Sequence, residues 1–285
     1  MRVTGRSAFA AQARWALLAC VLAVAAGGWY AAAAARAGRL PGGGSGVGLA
    51  LGGAAAALIL FEMLLWPRKR LFKLRTRRLG RTQTWMKAHI WLGLLCVPVA
   101  VLHAGFRLGG PLAATLMGVF AAVILSGVWG LWRQQTVPRQ MLELVPDEVP
   151  AAEIDRLVAH HTGQFERRLR VARGGLGGES VAGALEVEKV FATVVRPYLT
   201  GEARPAELAV PVRAGRFFAA LEASLPEPAR PLVADLEDAC RLRRQLDEQA
   251  RLHRQLHSWV WVHLPLSVLL VGLLAAHIVV ALRYI

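Results

Sequence analysis

The chain has 285 residues, of which 55% are hydrophobic, and its mean hydropathy is positive. The net charge is +15, yet residues 133–256 hold 18 basic and 18 acidic side chains, so the basic excess lies around the apolar segments. This distribution disfavours a nucleic-acid-binding protein, in which a folded domain would carry the basic surface. It is typical of an integral membrane protein with one neutral, polar insert. The three cysteines form neither a CxxC nor a CxxCH motif, so a covalent haem is not expected.

Five apolar runs predict five membrane-spanning helices. The runs are 15–35, 47–66, 85–107, 112–132 and 257–282. The first is expected to be a retained helix because it is longer than an ordinary signal-peptide core, although cleavage remains an alternative. The expected fold is therefore an all-α integral membrane bundle of about five transmembrane helices, with a helical cytoplasmic insert between helices four and five.

This reading divides the chain into five segments. They are an N-terminal two-helix segment (1–66), a basic loop (67–84), helices three and four (85–132), the insert (133–256) and the fifth helix (257–285). Within the insert, helices are predicted at 149–171, 181–198, 212–225 and 231–256. The glycine-rich stretch 174–178 interrupts the first two, and its spacing does not match a dinucleotide-binding motif.

The basic loop determines the expected topology. Between Arg68 and Arg81 there are eight basic residues and no acidic one, which is typical of a cytoplasmic loop. The N-terminus and the insert are then cytoplasmic, and the C-terminus lies on the outer side. Helices three and five both run outwards, so they are parallel.

Four histidines stand out because ionisable side chains are rare and costly at membrane depth. His89 and His103 are 14 residues apart in helix three, and His263 and His277 are 14 apart in helix five. At 100° per residue, 14 residues fall about 40° short of four turns, so each pair leaves its helix on nearly one face, roughly 21 Å apart along the axis. Matched spacings on two parallel helices predict two stacked sites.

Bis-histidine haem ligation explains this pattern. A low-spin b-type haem takes two axial imidazoles on opposite faces of one porphyrin, so each of two facing helices can supply one. Parallel helices place His89 opposite His263 at an inner haem and His103 opposite His277 at an outer haem. These four residues are the predicted cofactor-binding and metal-ligating residues, and two haem b groups are the predicted cofactors.

The remaining histidines do not fit such a site. His253 and His257 form an i, i+4 pair without a third or fourth ligand. The 20 residues from His257 to His277 also do not match the spacing in helix three. His160 and His161 lie in a charged helix of the insert and are expected to be solvated.

The motif-bearing segments are AHIWLGLLCVPVAVLHAGF and LHSWVWVHLPLSVLLVGLLAAHIVVALRY. In these segments the chain resembles transmembrane di-haem b-type cytochromes, in particular the ferric reductase-like transmembrane family. With the insert ending in RRQLDEQARLHRQLHSW, the layout is similar to bacterial membrane proteins that accompany multihaem c-type cytochromes. The resemblance implies a multi-pass protein of the bacterial inner membrane. It does not extend to flavin- and nicotinamide-binding domains, so electrons are expected from a quinol or a partner protein.

The expected function is transmembrane electron transfer through two haems to a redox partner, such as a c-type cytochrome, on the other face. Whether the chain is itself an enzyme stays open, and a quinone is a possible further cofactor. Three alternatives remain: a quinone-reactive cytochrome b subunit of a larger dehydrogenase, a proton or metal transporter, and a haem-free membrane scaffold. Glu62 is the only acidic residue outside the insert, which counts against a proton relay. Apart from redox proteins and quinol, the expected partner is membrane lipid and not nucleic acid.

Overall fold

A computed structural model describes residues 5–65, 68, 81–144, 153–174 and 178–283. These residues are almost entirely helical, and no strand occurs among them. The described helices are α1 (Gly5–Ala37), α2 (Gly46–Met63), α3 (Thr82–His103), α4 (Pro111–Leu144), α5 (Ile154–Arg173), α6 (Gly178–Val190), α7 (Arg196–Thr200), α8 (Ala206–Ala209), α9 (Pro211–Ser224), α10 (Arg230–Ser258) and α11 (Val260–Arg283). The predicted all-α membrane bundle is confirmed.

Five of the described helical segments are long and apolar enough to cross a membrane, so the chain is a multi-pass membrane protein. The spans are Gln12–Ala37, Gly46–Met63, Thr82–His103, Pro111–Leu142 and an apolar window within Glu227–Arg283. Large hydrophobic side chains on these helices are exposed, such as Val24 on α1, Leu125 on α4 and Leu282 on α11. Lipid would cover such side chains, as it does in other helical membrane proteins.

Helix ends differ from the predicted spans for local reasons. The third helix ends at His103 rather than at residue 107, because Gly105 and Phe106 both adopt positive φ angles, of 61° and 60°. A side chain at Gly105 would also place its Cβ 2.6 Å from the Pro41 carbonyl oxygen. The fourth helix continues past residue 132 into polar sequence, and a break at Trp259 separates α10 from α11.

The basic loop lies largely outside the described residues, since only Arg68 and 81–84 of it are described. Arg68 is buried, and its guanidinium lies 4.5 Å from the centre of the Trp85 ring. In the glycine-rich stretch predicted at 174–178, α5 ends before Gly174, and 175–177 fall outside the described residues.

The chain divides into two compact units. The first comprises residues 1–131 and 259–285, and the second comprises residues 132–258. The predicted insert, 133–256, falls within the second unit. In the first unit, here called the membrane unit, α3 packs closely against both α1 and α2. Small residues at the contacts, including Ala19, Ala55 and Ala100, allow the backbones to approach. The Tyr30 hydroxyl donates a 2.9 Å hydrogen bond to the Pro41 carbonyl, which fixes the α1 side of the α1–α2 loop.

The second unit (132–258), here called the insert unit, folds around its own hydrophobic core. The core draws apolar side chains from α5 to α10, and its members include Phe165, Val187, Tyr198, Phe218 and Leu236. A short π-helical segment, Phe191–Val195, joins α6 to α7 and contributes to the same core. Packed helices occur at the described parts of the four predicted insert helices, while 149–152 of the first lie outside the described residues. The predicted helix 181–198 is divided into α6, this π-helical segment and the start of α7.

Two arginines on α10 stabilise the short helices of the insert. Arg243 donates a hydrogen bond of 2.9 Å to the Leu199 carbonyl, and Arg244 donates one of 2.9 Å to the Leu208 carbonyl. Both carbonyls lie in the last turn of a short helix, α7 or α8, where intrahelical donors are missing. Such bonds fix helices that are too short to be stable alone.

Substitution of Leu236 tests whether this core stabilises the insert. Its side chain is fully buried in the core. Leu236→Ala is expected to lower the free energy of unfolding of the insert by about 2–5 kcal/mol, because a large apolar side chain is lost and a cavity remains. Gln245→Ala, at an exposed position of the same helix, is the control. Hydrogen exchange of the insert amides in detergent measures both changes, and equal protection in the two variants would contradict the assigned core.

Candidate cofactor site in the membrane unit

The four predicted histidines form two facing pairs in the membrane unit. The ring centroids of His89 and His263 lie 6.4 Å apart, and those of His103 and His277 lie 6.3 Å apart. These are the pairs that the spacing and the parallel arrangement predict. All four residues are partly buried, so each imidazole keeps accessible surface. Whether they bind haem stays a prediction at this point.

The two helices that carry these histidines are not closely packed against each other. Close backbone packing involves α2 with α3 and α1 with α3, and to a lesser extent α2 with α11, whereas α3 and α11 are not among the closely packed pairs. The imidazoles therefore face each other across a separation between α3 and α11. Helices that pack directly lie about 8–10 Å apart between their axes. A separation across which paired imidazoles approach each other is what a flat group ligated from both sides needs.

The ring separations fit a single metal ion between each pair. A metal–imidazole bond is about 2 Å long, and the ring centre lies about 1 Å beyond the coordinating nitrogen, so two axial imidazoles have centroids about 6 Å apart. The observed 6.4 and 6.3 Å agree with that value. The ring planes are inclined by 75° and 83°. Rotation about the metal–nitrogen axis leaves this angle free, so both inclinations are compatible with axial ligation.

Three of the four imidazoles have a partner at Nδ1. Nδ1 of His103 lies 2.7 Å from the carbonyl oxygen of Gly48 on α2. Nδ1 of His263 lies 2.9 Å from Oγ of Ser126 on α4. Nδ1 of His89 contacts a carboxylate oxygen of Glu62 on α2. Metal-binding histidines commonly use one ring nitrogen for such an interaction, which orients the ring and increases its basicity.

These contacts determine which nitrogen is available for a metal ion. A carbonyl can only accept, so His103 must donate from Nδ1. The Ser126 hydroxyl donates to the Val123 carbonyl at 2.9 Å, so its oxygen accepts from Nδ1 of His263. In a neutral imidazole with the proton on Nδ1, Nε2 carries the free lone pair. His103 and His263 therefore each present Nε2 as a ligand atom.

Glycines leave room for two of the imidazoles. A Cβ on Gly52 would lie 2.6 Å from Cε1 and 2.7 Å from Nδ1 of His103. A Cβ on Gly127 would lie 3.3 Å from Cε1 of His263. Only glycine allows the α2 backbone to approach the His103 ring this closely. Gly272, on α11, has open space at its Cβ position, with no atom within 4 Å.

The aromatic environment adds a further restraint at the His89–His263 pair. The Trp259 ring lies 5.3 Å from the His263 ring, centroid to centroid. A Cβ on Gly130 would lie 2.5 Å from the Trp259 ring, so this glycine lets the indole lie against α4. Trp259, at the break just before α11, and Ser126 on α4 thereby both contact His263. The ring of His263 is held in one orientation as a result.

The other histidines take no part in this arrangement. Nδ1 of His257 lies 2.9 Å from the backbone oxygen of His253, one turn earlier in its own helix. His160 is exposed, and its Nε2 lies 2.8 Å from Nε2 of Gln164. Among the described residues, no group of three or more His, Cys, Asp or Glu side chains could hold a metal ion. A haem needs only two protein ligands, because the porphyrin supplies the other four nitrogens.

Sequence reasoning missed the residues that contact the imidazoles. The sequence marks Glu62 only as the single acidic residue outside the insert, which counts against a proton relay, and it singles out neither Ser126 nor the Gly48 carbonyl. The signal in the sequence is that these residues are polar or small within apolar spans. A histidine on a neighbouring helix needs a hydrogen-bond partner at membrane depth, and such residues can provide it.

Comparison of this chain with protein-family models, curated proteins and solved structures finds no match.

Proposed function

We propose that the protein carries electrons across a membrane through two b-type haems, one held by His89 and His263 and the other by His103 and His277. The observation that supports this most directly is the presence of two imidazole pairs, in each of which one histidine, His103 or His263, has an Nδ1 partner that leaves Nε2 free. When bound, haem supplies reversible one-electron chemistry at iron. The chain would supply the four imidazoles that hold the haems, the orientation of these rings and an apolar surrounding.

Each helix has a definite task in this proposal. α3 and α11 carry the ligands at two heights, while α2 orients His103 through the Gly48 carbonyl and α4 orients His263 through Ser126. Because the partners belong to helices other than those of the ligands, the bundle fixes the imidazoles before a cofactor arrives. Such fixed ligands favour small structural changes on electron transfer.

The orientation and the partners belong to the same proposal. The eight basic residues between Arg68 and Arg81 favour a cytoplasmic location for this loop and for the insert, and an outer location for the end of α11. The His89–His263 pair then lies towards the cytoplasm. We place the protein in a bacterial inner membrane, as a subunit that takes electrons from a quinol or a cytoplasmic donor. It passes them to an outer redox protein, for which a c-type cytochrome is suitable.

Proteoliposomes test this function directly. With ferricyanide trapped inside and a membrane-impermeant reductant added outside, haem-loaded protein is expected to reduce the internal ferricyanide, whereas protein-free liposomes do not. His89→Ala and His103→Ala are each expected to abolish the flux, because both sites are needed to cross the membrane. His257→Ala, at an exposed histidine outside the pairs, is expected to retain it. Undiminished flux in both ligand variants would contradict the proposal.

One observation favours a second function, of a different class. The contact between the Glu62 carboxylate and His89 is the kind of pair that proton pathways use within membranes. A proton transporter would move protons across the same liposomes without bound haem. Proton uptake by haem-free protein that is lost in Glu62→Gln would favour this alternative.

A further inference from the structure

Glu62 distinguishes one imidazole pair from the other. It is the only acidic residue of the chain outside residues 133–256. Its carboxylate contacts Nδ1 of His89, and both side chains are mostly buried, with 16% and 27% of their surface exposed. Gly93, one turn beyond His89, lies beside this carboxylate, since a Cβ there would be in ordinary contact with Oε2 of Glu62 at 3.7 Å. A carboxylate at this position is costly in a membrane, so its placement against one ligand calls for an explanation.

The four imidazoles receive unequal electrostatic support. His103 contacts a neutral carbonyl and His263 a neutral hydroxyl, whereas His89 contacts a carboxylate. Among the described residues, His277 has no hydrogen-bond or ion-pair partner, and its ring lies 6.3 Å from that of His103. Hydrogen bonds to an ionised acceptor are about twice as strong as those between neutral groups. They also give the imidazole more anionic character, which makes it a stronger electron donor to a metal.

We infer that Glu62 tunes the pair formed by His89 and His263, so that the haem held there has the lower reduction potential of the two. This inference rests on the proposed function. A nearby negative charge and a more basic axial ligand both stabilise ferric iron, which carries one more positive charge than ferrous iron. The His103–His277 pair has no such carboxylate among the described residues, so its haem is expected at the higher potential. With haem bound at both sites, this difference would favour electron flow from the His89–His263 site to the His103–His277 site.

The test is a spectroscopic redox titration of purified, haem-loaded protein. Wild-type protein is expected to titrate in two components, and Glu62→Gln to move the lower one to a more positive potential while the higher one stays in place. Glutamine keeps the size and one acceptor oxygen but removes the charge. Ser126→Ala, which removes a neutral partner from the same pair, is the control and is expected to shift that component less.

Ligand variants assign the shift to one site. In a His103→Ala background, Glu62→Gln is expected to shift the single remaining haem, and in a His89→Ala background it is expected to shift nothing. A shift confined to the His89→Ala background, or equal potentials with and without the carboxylate, would overturn the role of Glu62. Should Glu62→Gln fail to retain haem, Glu62→Asp replaces it as the test variant. Its altered contact is expected to move only the lower component, and movement of the higher component would refute the inference.

The outcome also separates this inference from the proposed function. Wild-type protein that binds no haem would overturn the proposed function, and the role of Glu62 with it. If two haems bind and Glu62→Gln leaves both reduction potentials unchanged, only the role of this side chain is overturned.

Discussion

Replacing His89 or His263 by alanine is expected to remove one of two haems, and replacing His103 or His277 is expected to remove the other. Each variant deletes one of the two axial imidazoles of a pair, and a b-type haem held without a covalent bond depends on both. The haem content should fall from about two per chain to about one in every single variant. The spectrum of the remaining haem should be the same in His89→Ala and His263→Ala, and different in the other two.

Double variants test the pairing independently of protein stability. His89→Ala with His263→Ala should lose no more haem than either single variant, because both residues serve one site. His89→Ala with His103→Ala should lose both haems, because it damages two sites. Such non-additivity is the sign of residues that act as a unit. His257→Ala is the control and should keep both haems. Retention of one haem in His89→Ala with His103→Ala, together with loss of both in His89→Ala with His263→Ala, would refute the pairing.

Gly52→Ala is expected to abolish haem binding at the His103–His277 pair. The new methyl group would lie 2.6 Å from Cε1 of His103, closer than Cβ contacts in proteins, so the imidazole must move. Movement also lengthens the 2.7 Å contact between Nδ1 and the Gly48 carbonyl, which sets the ring orientation. A displacement of about 1 Å is enough to disturb a preorganised ligand set.

Gly53→Ala is the matched control for this effect. Gly53 is the next residue in α2, and a Cβ there would have no atom within 4 Å. Both substitutions add one methyl group and raise helix propensity by about 1 kcal/mol. Haem content and the low-spin ferric spectrum of the two variants measure the difference. Equal haem loss in both would show that the α2 backbone, and not the space around His103, limits binding.

The sequence was sufficient to predict the spans and the histidine pairs because both follow from simple geometry. Length and hydropathy identify a spanning helix, and a 14-residue spacing returns two side chains to nearly one face. The basic loop adds the direction of α3 and α11, from which the pairing of His89 with His263 follows. None of these predictions depends on how a helix is rotated about its own axis relative to its neighbours.

The contacts of the imidazoles do depend on the rotation of each helix about its axis. For this reason the sequence does not reveal them. Helices such as α2 and α4 are apolar over most of their surface within the membrane, so their sequences give little indication of which face meets α3 or α11. The approach of Glu62 to His89 and of Ser126 to His263 depends on close packing at small residues. The early end of α3 likewise depends on two positive φ angles at Gly105 and Phe106, one of them at a non-glycine residue.

Haem content is the most direct measurement of the central claim. Protein produced with ample haem and purified in detergent should show a reduced-minus-oxidised difference spectrum of the b type. Extraction should release about two non-covalent haems per chain, one for each imidazole pair. A protein that stays free of haem under these conditions, while its helices remain folded, would contradict the assignment of His89, His103, His263 and His277 as axial ligands.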